Sequence, residues 1–326
     1  MKNSSKINFV GDYEPEENAC VELINGRIVD VINAKYFDEN VKLIIKGSRI
    51  EAMPGVEGQP VDIKADFVID LKGKTVMPGL FNTHCHTTQA MPTFLPDIKD
   101  VKILSRDGII EPTVSVTYDT SYKIKGHPAF DDSSLTLLTE FRNRVHDDIA
   151  EEFWIPEFKA GARNYHGKLS NGKMNMFGFL PMKKMFENFA TYCTFGTRNL
   201  KSLFENGARM TTSNDGGVPP CTVAMMQHEI NLFDLFLNQD SCRNIFSGVD
   251  AVRMATINGA ACLGLEDDFG TVETGKVADL VILDGDPFEG HSVVGSRVAA
   301  LFKDGRLMIN NCDLQVLTAG AMEGVG

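Results

Sequence analysis

Apolar and polar residues alternate with period two in short runs near the start of the chain: Val21–Ile24, Arg27–Ile32, Val41–Ile45 and Phe67–Leu71. Asn25-Gly26 and Lys46-Gly47 separate them with residues that tolerate tight turns. That texture predicts a small antiparallel sheet. It returns near the other end, where Ala278–Asp284 predicts a strand and Val298–Phe302, followed by Lys303-Asp304-Gly305-Arg306-Leu307, a hairpin. Between 250 and 264 the pattern turns helical: Asp250 can cap, Ala251–Leu263 is helix-favouring, and Gly264 can end it. The expected layout is one small β domain built from residues 1–77 and 272–326, with residues 78–271 inserted as a second domain.

The insert opens on Val76-Met77-Pro78-Gly79-Leu80-Phe81-Asn82-Thr83-His84-Cys85-His86-Thr87. The apolar body predicts a buried strand. In a strand, residues i and i+2 share a face, so His84 and His86 point one way and Cys85 the other. Two imidazoles at a strand end can hold one divalent ion, zinc foremost, with iron, manganese or nickel as alternatives. A bare His-x-His also arises by chance. A second candidate lies in Asn206–Pro219, which reads as a helix end, a short strand and a glycine loop. Asp215 sits where strand meets loop. Before Gly216-Gly217 it makes good Asx-turn chemistry, or it serves as a metal ligand and proton acceptor.

Composition narrows the class. The 326 residues are 43% hydrophobic and 23% charged, ordinary for a globular protein. A formal net charge of −12 argues against nucleic acid or an anionic membrane as partner and says nothing about a small-molecule substrate, which is the partner expected here. The seven cysteines are scattered, with no Cys-x-x-Cys pair. That speaks against a disulfide framework or structural zinc site and for a reducing cytoplasm. Neither a signal segment nor a transmembrane run is expected.

The Pro78-Gly79-Leu80-Phe81-Asn82-Thr83-His84-Cys85-His86 run resembles the first barrel strand of the metal-dependent amidohydrolase superfamily. Asp107-Gly108-Ile109-Ile110-Glu111-Pro112-Thr113-Val114 resembles its seventh strand. Thr211-Thr212-Ser213-Asn214-Asp215 resembles its eighth, with Ser213-Asn214 in place of the commoner Gly-Thr. Residues 251–264 look like the helix that follows, and Gly270–Leu280 like the return to the β domain. The resemblance implies an α/β fold, a (β/α)8-type barrel plus a small β-sandwich formed by both termini. It implies a divalent metal held by His84, His86 and Asp215. Asp215 would also move the proton as water attacks a C–N bond of a cyclic amide, amidine or dipeptide-like substrate. The imidazolonepropionase-like and Xaa-Pro-dipeptidase-like branches look most similar.

The pattern also breaks. The span from Pro78 to Asp215 has room for about four strand-helix units where seven are needed, so strands two to six are expected to be absent. The family's middle ligands, a lysine or glutamate and two histidines, are not found. His127, His146, His166 and His291 follow no apolar strand, and His228, on a helix after the Asp215 loop, is read as loop-packing or substrate-facing. Lys102 and Lys159 are possible replacements. A shortened barrel leaves apolar faces uncovered; Met174–Leu180 and Met185–Phe195 would cover them or form a homo-oligomer contact. The competing expectation is a shortened relative that serves as a binding or assembly subunit.

Overall fold

The computed structural model describes residues 19–60, 63–84, 109–112, 175–176, 180–181, 200–214, 226–238, 244–295 and 297–318. By internal contacts the chain divides into two units, Ile7–Phe81 with Ser247–Gly326, and Met1–Lys6 with Asn82–Phe246.

In the first unit the alternating runs form β1 (Cys20–Ile24), β2 (Arg27–Asp30), β3 (Lys35–Tyr36), β4 (Leu43–Lys46), β5 (Arg49–Ala52), β6 (Phe67–Asp70) and β7 (Thr75–Pro78). Its strands from the far end of the chain are β12 (Leu280–Leu283), β13 (Val298–Lys303), β14 (Arg306–Asn310) and β15 (Val316–Thr318). They make two mixed sheets, ordered β15-β6-β1-β4-β5 and β14-β13-β12-β7-β2-β3. Each sheet joins strands from both ends of the chain.

Two details depart from the expectation of one antiparallel sheet. β1 pairs in parallel with β6, and β2 with β7. β1 and β2 also lie in different sheets, so Asn25-Gly26 is a corner between layers and not a hairpin turn. Asn25 takes the positive φ that corner needs (54°), a conformation asparagine tolerates. Strand period therefore located the strands but not their partners, because a side-chain alternation of two is the same in parallel and antiparallel pairs.

One cluster of buried side chains draws on both sheets: Val21 and Leu23 from β1, Leu43 and Ile45 from β4, Val76 from β7, Leu280 and Ile282 from β12, and Phe302 from β13. Alternate residues of β1 and β4 enter it, as the two-residue side-chain period of a strand requires. β7 and β12 are buried on both faces, which is why they read as continuous apolar runs.

The helical stretch is two helices, α2 (Gly248–Ala255) and α3 (Ile257–Cys262), which break at Thr256. Ser247 is the N-cap, and Asp250 is the third residue of a capping box that reaches back to it. The predicted cap at Asp250 is thus displaced by three residues, since Asp fits either end of the box. Gly264 does leave the helix in a left-handed conformation (φ 67°). His291 lies in the short 3-10 turn His291–Val293 of this unit.

The predicted strand at 76–87 ends early: its hydrogen-bonded part is β7, which stops at Pro78. Proline has no N–H to give to a ladder. Beyond it the Gly79 N–H donates to the Asp279 carbonyl (2.8 Å) and the Phe81 N–H to the Ala255 carbonyl (2.8 Å). The Phe81 ring meets Phe269 edge to face.

The second unit contributes β8 (Ile109–Ile110), β9 (Asn175–Met176), β10 (Leu180–Pro181) and β11 (Arg209–Met210), a helical turn at 200–205, and α1 (Met226–Asn238). β9 and β10 form an antiparallel pair. Buried Ile230, Leu232, Phe233, Phe236 and Leu237 line α1, and Phe233 stacks on Phe246. No helix among the described residues is long and apolar enough to cross a membrane.

Candidate active site

The site residues are held by one short ladder. β8 and β11 pair in parallel, Ile109 opposite Arg209 and Ile110 opposite Met210. The ladder extends one residue further, with the Thr211 N–H donating to the Ile110 carbonyl (3.1 Å). On the other side of the same central segment, the Thr83 N–H donates to the Thr212 carbonyl (3.2 Å), and the Thr83 and Thr211 hydroxyls share a hydrogen bond of 2.7 Å. The central segment 209–214 is thus flanked by 82–84 and by 109–112.

Thr211, Thr212, Ser213 and Asn214 are all fully buried, and buried polar groups must be paired or they destabilise the fold. Asn214 is met by Asn82 in a two-way lock. The Asn82 amide donates to Asn214 Oδ1 (2.7 Å) and Asn82 Oδ1 accepts from the Asn214 N–H (3.3 Å). Asn82→Ala is expected to cost about 1–3 kcal/mol, because it strips partners from a buried amide. A thermal melt beside wild type checks it, and an unshifted transition would show the lock to be incidental.

His84 follows one residue after Thr83, and Glu111 one residue after Ile110. Their side chains meet, His84 Nδ1 to Glu111 Oε2 at 3.5 Å, with side-chain exposures of 38% and 29%. Both are partly exposed and face one another. A borderline nitrogen beside a carboxylate oxygen is a donor set that suits a zinc-type ion. The buried Ser213 hydroxyl, on the central segment, has no hydrogen-bond partner among the described residues, so the site holds a polar atom that a ligand could satisfy.

Of the sequence-predicted residues, His84 stands at this ladder end. His86 and Asp215 lie outside the described residues, as do His127, His146, His166, Lys102 and Lys159. His228 is on α1, its side chain outside the described set. Among the described residues no three His, Cys, Asp or Glu groups gather as a metal cluster. Glu111, Asn82, Asn214 and the threonine pair were not singled out from the sequence. For Glu111 a signal existed: a carboxylate immediately before a proline at a strand end. Burial pushes the Cys20 and Cys312 thiols above their usual range, so neither is an activated nucleophile.

The sequence matches the amidohydrolase family model over residues 170–311. Over that stretch, 142 of the 326 residues, the chain is similar to the amidohydrolase family. It is 33% identical over 93 residues to imidazolonepropionase of Sphingopyxis alaskensis, covering 28% of this chain and 21% of that protein. It is 59% identical over 89 residues to 5-methylthioadenosine/S-adenosylhomocysteine deaminase of Moorella thermoacetica, covering 27% and 21%. The matches thus span about a fifth of the length of these curated relatives. Among solved structures, an amidohydrolase aligns over 90% of this chain and 100% of its own, at 16% identity and TM-score 0.52. A prolidase complexed with N-methylphosphonate-L-proline aligns over 90% and 100%, at 17% identity and TM-score 0.50. At such identity the likeness speaks to the α/β fold of the superfamily alone.

Proposed function

We propose that this chain is a member of the amidohydrolase superfamily that hydrolyses a C–N bond of a cyclic amide, amidine or dipeptide-like small molecule, with a divalent metal, zinc foremost, held by His84, His86 and Asp215. The observation that carries the reading is the ladder end: two segments reach it from opposite sides of 209–214, and they deliver an imidazole and a carboxylate to one place. Barrel enzymes build their sites where strands meet the loops that follow them. The names of the relatives, a deaminase and an imidazolonepropionase, support the bond class.

A bound divalent ion would supply Lewis acidity toward the scissile group and make water acidic enough to react near neutral pH. The chain's residues do the rest. The Asp215 carboxylate accepts the proton of the attacking water and returns it to the leaving nitrogen. The Asn82–Asn214 lock fixes the backbone immediately before Asp215. His228, on the helix that follows, faces the substrate in this reading. The same reading puts the chain in a reducing cytoplasm, supported by its scattered cysteines, and expects a homo-oligomer to cover the apolar faces of a shortened barrel.

Metal content tests it. Full-length protein purified without chelator is expected to carry about one or two equivalents of a divalent ion by plasma mass spectrometry, and His84→Ala to lose them. Wild-type protein that holds no metal after dialysis against zinc would overturn the hydrolase reading in favour of a binding or assembly subunit.

A further inference from the structure

Thr83 and Thr211, 128 residues apart in the chain, meet through their hydroxyls at 2.7 Å. Thr83 Oγ1 also lies 3.3 Å from the Thr212 carbonyl. Each hydroxyl has one proton to give, and that settles the order of donation. If Thr83 gave its proton to Thr211, the Thr211 proton would lack an acceptor, because neither hydroxyl has a further hydrogen bond among the described residues. Thr211 is fully buried, where an unpaired donor is costly. The order that pairs both protons runs from Thr211 Oγ1–H to Thr83 Oγ1, and from Thr83 Oγ1–H to the Thr212 carbonyl. That carbonyl also accepts the Thr83 N–H (3.2 Å), and its two lone pairs serve the two donors.

Residues 79–84 form no strand, so no repeating ladder sets their register against 209–214. A backbone bond at Thr83 alone would be a pivot. The hydroxyl chain adds two directed bonds at the same residue and stops the rotation. Thr211 works toward both flanks: its N–H donates to the Ile110 carbonyl (3.1 Å) and its hydroxyl to Thr83. One residue beyond these ties stand Glu111 and His84.

We propose that Thr83 and Thr211 are positioning residues of the site: their hydroxyl chain pins 82–84 against the central segment and so sets where His84 stands. The use of His84 by an ion rests on the metal-hydrolase reading; the pin does not.

The test uses the full chain, metal-free, with 15N-labelled histidine, and the ring signals lost in His84→Ala assign that ring. Thr83→Val keeps the branched shape and removes the hydroxyl. Thr211→Val breaks the same bond from the other side with residue 83 intact, and Thr83→Ser keeps the hydroxyl. Both valine variants are expected to shift the His84 signals and to leave those of His291, in the other unit, in place. Thr83→Ser is expected to keep the wild-type positions. Zinc affinity, by competition with a chromogenic chelator, is expected to fall about 10-fold in Thr83→Val and to hold in Thr83→Ser. The double valine variant is expected to bind as Thr83→Val does, because the hydroxyls act as one chain. His84 signals unmoved in both valine variants overturn the proposal, as does a serine variant that behaves like the valine one. Additive losses in the double variant overturn it by making the hydroxyls independent, and moved signals with unchanged zinc affinity overturn it by making the position immaterial. Signals that move as expected in a protein whose wild type takes up no zinc leave the pin standing and overturn the hydrolase reading.

Discussion

Gly305→Ala is expected to lower the stability of the β unit by about 2–4 kcal/mol. Asp304 and Gly305 are the two turn residues between β13 and β14, where Lys303 pairs with Arg306. Both take positive φ, 49° and 75°, the pattern of a type I′ hairpin. A side chain at 305 is strained by that backbone angle alone. It also has nowhere to go, because a methyl carbon there would overlap the Gly47 carbonyl oxygen. Gly47 is backbone in the β4–β5 turn of the other sheet, so it cannot swing aside as a flexible side chain would. The Gly305 N–H further donates to the Ala278 carbonyl (3.1 Å). Urea unfolding of wild type, Gly305→Ala and Asp304→Asn separates the causes. Asparagine accepts positive φ and should leave the midpoint nearly unchanged. A loss below about 0.5 kcal/mol in Gly305→Ala would show that the Gly47 turn yields.

Phe302→Ala is expected to cost about 3–5 kcal/mol, the range for removing a large buried aromatic side chain. Phe302 is 1% exposed and among the largest fully buried side chains of the β unit. It stands opposite Leu280 on one flank and Leu307 on the other, within the cluster shared by the two sheets. Truncation leaves a cavity between layers that are each hydrogen-bonded in place. Phe302→Leu fills more of that space and is expected to lose less than half as much. Calorimetry of both variants checks the ranking. Equal losses would mean that ring shape, not lost volume, sets the cost.

The two predictions draw on features of unequal visibility in the sequence. The Asp304-Gly305 turn was legible because its chemistry is local: two neighbouring residues state the turn type. The strands were legible for the same reason. Their partners were not, since β1 lies parallel to β6 and on the opposite layer from β2, and neither fact leaves a trace in a period of two. The break at Thr256 was hidden because Ala251–Leu263 has good helix propensity on both sides of it. At the site, β8 and β11 were found through a resemblance and do pair in parallel. Glu111 passed as part of a phrase, because nothing local to residue 111 says that residue 84 will arrive beside it.

The seam between β7 and β12 has a consequence for synthesis. These central strands of the larger sheet pair Pro78 with Leu280, so about 200 residues must leave the ribosome before β7 meets its partner, roughly 10–40 s at ordinary elongation rates. Through that interval β7 offers an open ladder edge and two apolar faces, a template for any passing strand. The nascent chain is therefore expected to need a holding chaperone between translation of β7 and of β12. A ribosome stalled before residue 280 should display its β unit unfolded, however complete the N-terminal strands look on their own.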